Sequence, residues 1–93
     1  MLDPVTRGLL EKTIGETKDL IPTVKGIGIP KGMQIQKDED YTLGWAIGYI
    51  MGRFLTFFII SYNRPPNEQE LKEAREAIFY RTNELREAIS KAE

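Results

Sequence analysis

The sequence predicts a mainly α-helical fold, built as one small domain over residues 1–93. It consists of three helices, the second central and apolar, with a short β-hairpin between helices 1 and 2. Three observations carry this. Two stretches, one near each end, repeat apolar residues at helical spacing. A 22-residue stretch between them, Tyr41–Tyr62, holds a single charge, Arg53. Between the first helix and that stretch, apolar residues alternate with small or polar ones around Pro30-Lys31-Gly32, which is turn chemistry.

The first helix is expected from about Asp3 to Leu20. Asp3 suits the N-cap, where a carboxylate accepts from an unpaired amide, and Pro4 suits the first helical position, which needs no donor. Leu2, Val5, Leu9, Thr13 and Leu20 share one side, widened by Leu10, Ile14 and Ile21. Pro22 is expected to end it.

In Thr23–Asp40, Ile27 and Ile29 alternate with Gly26 and Gly28, and Met33 and Ile35 alternate with Gln34 and Gln36. This reads as hairpin arms at 25–29 and 33–37. An isolated hairpin is marginal in water, so it must pack on the helices.

Asp38, Glu39 and Asp40 are placed to cap the second helix and to put negative charge at its positive end. Leu43, Ile47, Ile50, Phe54 and Phe58 form one ridge, and Leu55, Phe57, Ile59 and Ile60 leave the C-terminal half apolar nearly all round. Asn63-Arg64-Pro65-Pro66 breaks the chain. Asn67 and Glu70 then match a capping box for a third helix from Glu68 to about Lys91, with a stripe of Leu71, Ala74, Ile78, Leu85 and Ile89.

Composition narrows the chemistry. The 13 Lys plus Arg nearly balance 14 Asp plus Glu, so the chain lacks the basic excess that drives nucleic-acid binding. With no Cys, disulfides and thiolate metal sites are excluded. With no His, the commonest general base and metal ligand are missing. The expectation is therefore no enzyme, no catalytic residue, no cofactor and no metal. Asp38, Glu39 and Asp40 lack EF-hand spacing, and the glutamates of the third helix lack the Glu-x-x-His pairs of di-metal bundles. Lys25–Gly32 joins glycines to lysines, but the spacing is neither a Walker motif nor GxGxxG.

The candidate interaction surface lies on the second helix. Gly44, Gly48 and Gly52 recur every fourth residue and Thr56 continues the row, which lets another helix backbone approach closely. Each mid-helix glycine costs about 1 kcal/mol against alanine, so three suggest a packing benefit. Two uses compete, a seam between copies and a close contact with the chain's own first or third helix; Gly48→Leu is expected to disrupt either. Leu55, Ile59 and Ile60 extend the surface. Trp45, Tyr49 and Arg53 form a neighbouring row, which reads either as a stack presenting the Arg53 guanidinium to a carboxylate or phosphate or as a half-buried rim.

The leading functional expectation is a cytoplasmic, non-enzymatic helical protein–protein interaction module, homo-oligomeric and most simply a dimer. A different protein partner would use the same surface. The alternative is a membrane-embedded protein with one apolar helix at 41–62. Nine Leu, Ile and Phe residues there contribute about −3 to −5 kcal/mol to insertion, and a central Arg53 returns about +2.5 to +3.5. Met1-Leu2-Asp3-Pro4 does not resemble a signal peptide. A nucleic-acid-binding accessory factor using Lys25, Lys31 and Lys37 is the weakest reading, since no recognition motif accompanies the lysines.

Overall fold

A computed structural model describes residues 2–29, 31–33 and 37–92. The described residues form four helices: α1 (Pro4–Ile27), α2 (Asp38–Tyr62), α3 (Glu68–Tyr80) and α4 (Thr82–Lys91). There is no strand among them.

The expected hairpin is therefore wrong, and so is the count of three helices. Lys25, Gly26 and Ile27 are the last turn of α1, not a strand. Helical spacing explains why. Val24 lies three residues beyond Ile21, and both are buried, so the apolar stripe of α1 runs on past Leu20. Pro22 sits inside the helix on its exposed side, where it donates no backbone bond and its ring crowds the preceding turn, costs that the buried stripe offsets. What ends α1 is Gly28, at φ 77° and ψ −179°, a conformation essentially confined to glycine, with its N–H donating to the Val24 carbonyl at 3.4 Å. The alternating glycines thus serve a helix end. Of the second proposed arm, Gln34, Ile35 and Gln36 lie outside the described residues.

At its start α1 follows expectation: Asp3 accepts from the Thr6 amide at 2.8 Å, with Pro4 next. Its buried stripe is Thr6, Leu10, Thr13, Ile14, Thr17, Ile21 and Val24, so the face is centred on Leu10 and Ile14 while Val5 is exposed. The buried threonines need no outside partner. Thr13 Oγ1 donates to the Leu9 carbonyl at 2.8 Å and Thr17 Oγ1 to the Thr13 carbonyl at 2.7 Å.

α2 starts earlier than expected, at Asp38, and its 25 residues match the 38 Å long dimension of the molecule. Lys37 occupies the N-cap position and makes no side-chain cap. Asp38, Glu39 and Asp40 lie inside the first turn, where they complement the dipole without capping it. Asn63 ends the helix in the left-handed conformation, its N–H donating to the Ile59 carbonyl at 2.9 Å.

The third helix of the sequence reading is two. Its N-terminus is the expected capping box, with Glu70 N–H donating to Asn67 Oδ1 and Asn67 N–H to Glu70 Oε1, both at 2.8 Å. The break comes at Arg81, at φ −107° and ψ 9°. Its guanidinium donates to the Glu11 carbonyl at 2.9 Å and to Glu84 Oε2 at 2.9 Å, which ties the joint to the middle of α1. The expected stripe survives the break: Ala74, Ile78, Leu85 and Ile89 are buried and Leu71 is half-buried.

α1 and α2 run antiparallel, with Thr6 Oγ1 3.1 Å from Tyr62 Oη near one end and Arg53 2.8 Å from Glu16 further along. α3 and α4 continue in the direction of α1, through Arg7–Glu73, Arg81–Glu11 and a Lys25 Nζ bond to the Ile89 carbonyl. This makes α1 the central element. It packs against α2, α3 and α4, whereas α2 packs mainly against α1 and α4. The expectation that α2 is central is corrected accordingly. One core joins all four helices through Leu10, Ile14, Ile21, Ile50, Phe54, Phe58, Ala74, Ile78, Leu85 and Ile89.

Candidate interaction surface

Because α2 meets its neighbours on one side only, it has an inner and an outer face. The inner ridge of Leu43, Ala46, Ile50, Phe54 and Phe58 is buried. Ile47, Met51 and Leu55 are half-buried along its shoulder and touch the core. The outer face carries Gly44, Gly48, Gly52, Thr56, Ile59 and Ile60, all exposed.

The glycine row answers one of the two readings the sequence left open. A Cβ built on Gly44, Gly48 or Gly52 meets no atom within 4 Å. The row therefore makes no close contact with α1, α3 or α4. Whatever benefit offsets roughly 1 kcal/mol of helix propensity at each position does not lie among the chain's own described residues.

Tyr49 and Arg53 sit on the flank of this face toward α1. Arg53 donates to Glu16 Oε2 at 2.8 Å, and its guanidinium lies 5.8 Å from the Tyr49 ring centroid. Trp45 stacks on Tyr49 with centroids 5.2 Å apart and planes 10° apart. The Arg53 guanidinium holds the Glu16 carboxyl below its ordinary range. Arg53 is thus engaged within its own chain, and the reading that it presents an unpaired guanidinium to a ligand loses its support. Beside it lies an open groove of about 530 Å³, lined by Leu9 and Thr13 of α1 and by Gly52, Thr56 and Phe57 of α2 together with Tyr49 and Arg53.

Of the glutamates weighed as possible ligands, Glu70, Glu73, Glu76, Glu84 and Glu87, all but Glu76 are paired with a cation among the described residues. Glu70 meets Arg64, Glu73 meets Arg7, Glu84 meets Arg81, and Glu87 meets Lys91. Among the described residues no group of three or more carboxylates converges on one point.

Sequence reasoning missed two exposed features. Phe79 and Tyr80 are 76% and 79% exposed at the end of α3, packed edge to face with centroids 6.3 Å apart. The signal was present, since the stripe of Ala74, Ile78 and Leu85 leaves both on the outer side of the helix. Val5, 74% exposed, opens the outer side of α1 at the same end of the bundle as Ile60 and Tyr62. No family model matches the chain, and comparison with curated proteins and solved structures finds no match either.

Proposed function

We propose that this protein is a non-enzymatic helical interaction module that self-associates, with the outer face of α2 as the contact surface. The observation that supports it is the open glycine row on the most apolar helix. α2 has a mean hydropathy of 1.6 over an 18-residue window, yet only 28% of that window is buried. A core helix of that composition is normally covered. Ile59 and Ile60 are 45% and 76% exposed. Covering them removes slightly more than one whole isoleucine side chain from water, worth about 2–3 kcal/mol. A second copy is always available as a cover, and closed two-fold pairing buries the same patch on both chains. Association also stabilises a chain whose small core leaves little margin.

Sedimentation equilibrium in detergent-free buffer tests this. The mass should rise from 10.7 kDa toward twice that as concentration increases. A mass of 10.7 kDa at every concentration removes the reading.

The same hydropathy favours a second reading, in which α2 is buried in a membrane. Its mark is distinct: the protein would stay with the membrane pellet through an alkaline carbonate wash. Release into the supernatant excludes it.

A further inference from the structure

We infer that α3 and α4 are one helix held broken: Arg81 is a clasp on α1, and with its guanidinium withdrawn Glu68 to Lys91 close into a single continuous helix.

The local sequence does not account for the break. A sharp break in a helix ordinarily has Pro, a Gly/Ser pair, a π-bulge or an inserted side chain behind it. From Ala77 to Leu85 the chain reads Ala-Ile-Phe-Tyr-Arg-Thr-Asn-Glu-Leu, with neither Pro nor Gly. Thr82 and Asn83 are weak helix formers, not breakers. Nor does the break redirect a face. Ala74 and Ile78 before it and Leu85 and Ile89 after it are buried, and half-buried Arg81 fills the step between Ile78 and Leu85. The helical phase therefore runs through the joint, and a continuous helix would lay the same residues on α1.

What is particular to the joint is the guanidinium. On one edge Arg81 Nη1 donates to the Glu11 carbonyl at 2.9 Å and to Glu11 Oε1 at 3.2 Å. On the other, Nη2 and Nε donate to Glu84 Oε2 at 2.9 and 3.2 Å. A planar fork satisfied on both edges fixes the backbone that carries it. That backbone sits at φ −107° and ψ 9°, away from helical values. The groups freed at the joint find local partners. Arg81 N–H donates to the Ile78 carbonyl at 3.0 Å, a tightened last turn, and Thr82 Oγ1 donates to the same carbonyl at 3.0 Å. The new ends also suit their charges, with Arg81 at the C-terminus of α3 and Glu84 in the first turn of α4. Without the cation, nothing offsets the loss of helical partners for the amides of Thr82 and Asn83, which open α4. Phe79 and Tyr80, 76% and 79% exposed, sit on the turn that changes, so the clasp also sets how this aromatic pair is presented.

Arg81→Met tests the clasp, since methionine is a good helix former and fits a half-buried position without the charge. Nuclear magnetic resonance of the folded chain reads the joint residue by residue, through Cα chemical shifts and amide hydrogen exchange. In the parent, Arg81 should lack a helical Cα shift, and the Thr82 and Asn83 amides should exchange fast. In Arg81→Met, helical shifts should run from Ile78 through Leu85, and exchange at Thr82 and Asn83 should slow about tenfold or more. A folded variant that keeps the parent's shifts and exchange overturns the clasp. Thr82→Ala, with Arg81 intact, should stay broken; a healed helix there assigns the break to the threonine hydroxyl and overturns the clasp equally. Arg81→Lys keeps a charge without the fork and should slow the same amides by a smaller factor. It decides the question should Arg81→Met not fold, and parent-like exchange in it then counts against the clasp. A parent already helical and protected through Arg81 has no joint to hold, and that result also overturns the inference.

Discussion

Gly48→Leu separates the two roles a glycine row can have, because its effects on one chain and on a pair have opposite signs. Within one chain a Cβ at Gly48 meets nothing within 4 Å, and the position is exposed, so the side chain can extend into solvent. The change then acts through helix propensity alone. Glycine costs about 0.8–1.0 kcal/mol relative to alanine in a helix interior and leucine only a little, so the isolated chain should gain roughly 0.5–1 kcal/mol. That reverses the sign the sequence suggested, since a glycine packed against its own core would lose about 1–3 kcal/mol on enlargement. Between two copies the same leucine holds the backbones apart. Losing close contact along the middle of the seam should weaken the dimer about ten- to a hundredfold. Urea unfolding followed by circular dichroism, at a concentration where the protein is monomeric, reads the first effect as a raised midpoint with an unchanged slope. Sedimentation equilibrium reads the second. A lowered urea midpoint in the dilute protein would refute the open-face geometry, and an undiminished dimer would refute the seam.

Leu85 is fully buried and joins α4 to the core, so Leu85→Ala should cost about 2–5 kcal/mol and lower the thermal midpoint sharply in so small a domain. Arg81 and Glu11 should show a coupling of about 1 kcal/mol in a double-mutant cycle read by urea unfolding, because their contact at 3.2 Å is only partly shielded; zero coupling would mean that the joint holds without them. Glu70 is held at a pKa of about 2 against its ordinary 4.5, first by the Arg64 guanidinium and then by the Asn67 amide. A lowered folded-state value stabilises the native chain above the unfolded-state value, so this contribution is complete above about pH 4.5 and is lost as pH falls toward about 2. Glu70→Gln should therefore flatten the acid limb of stability against pH, and an acid limb identical to the parent's would show that Arg64 does not select the ionised form.

The parts of the fold legible in the sequence are those set within a few residues. The Asn67–Glu70 box needs only four residues, and it forms as read. The stripe through Ala74, Ile78, Leu85 and Ile89 depends only on helical period, and it is buried. What escaped depends on distant neighbours. Arg81 is unremarkable in a helix by propensity, and what marks the chain's turn there is a guanidinium reaching Glu11, 70 residues earlier. Thr6 and Thr17 count as polar in a periodicity argument, yet each hydroxyl is satisfied within or beside its own helix and can enter the core. Pro22 reads as a stop, but burial of Ile21 and Val24 carries the helix through it. For the candidate surface, the sequence supplied the glycine spacing. Only the position of α2 at the side of the bundle reveals that the row faces outward.

That lateral position also bears on water against lipid. The inner ridge of α2, with Ile50, Phe54 and Phe58, is shared with Leu10, Ile14 and Ile21 of α1 and with Leu85 and Ile89 of α4. To cross a bilayer, α2 must either leave this core or carry its neighbours in. Leaving exposes the apolar faces of α1 and α4, helices too rich in charge to follow. Staying draws the Arg53–Glu16 pair toward hydrocarbon together with Lys12, whose ammonium lies 3.9 Å from the Glu16 carboxylate. Each charge near the membrane centre costs about 2.5–3.5 kcal/mol even on the lenient insertion scale, comparable with the whole gain from the apolar residues of α2. Under the self-association proposed above, a second copy covers an outer strip bounded by the Arg53–Glu16 pair on one flank and by half-buried Ile47, Met51 and Leu55 on the other.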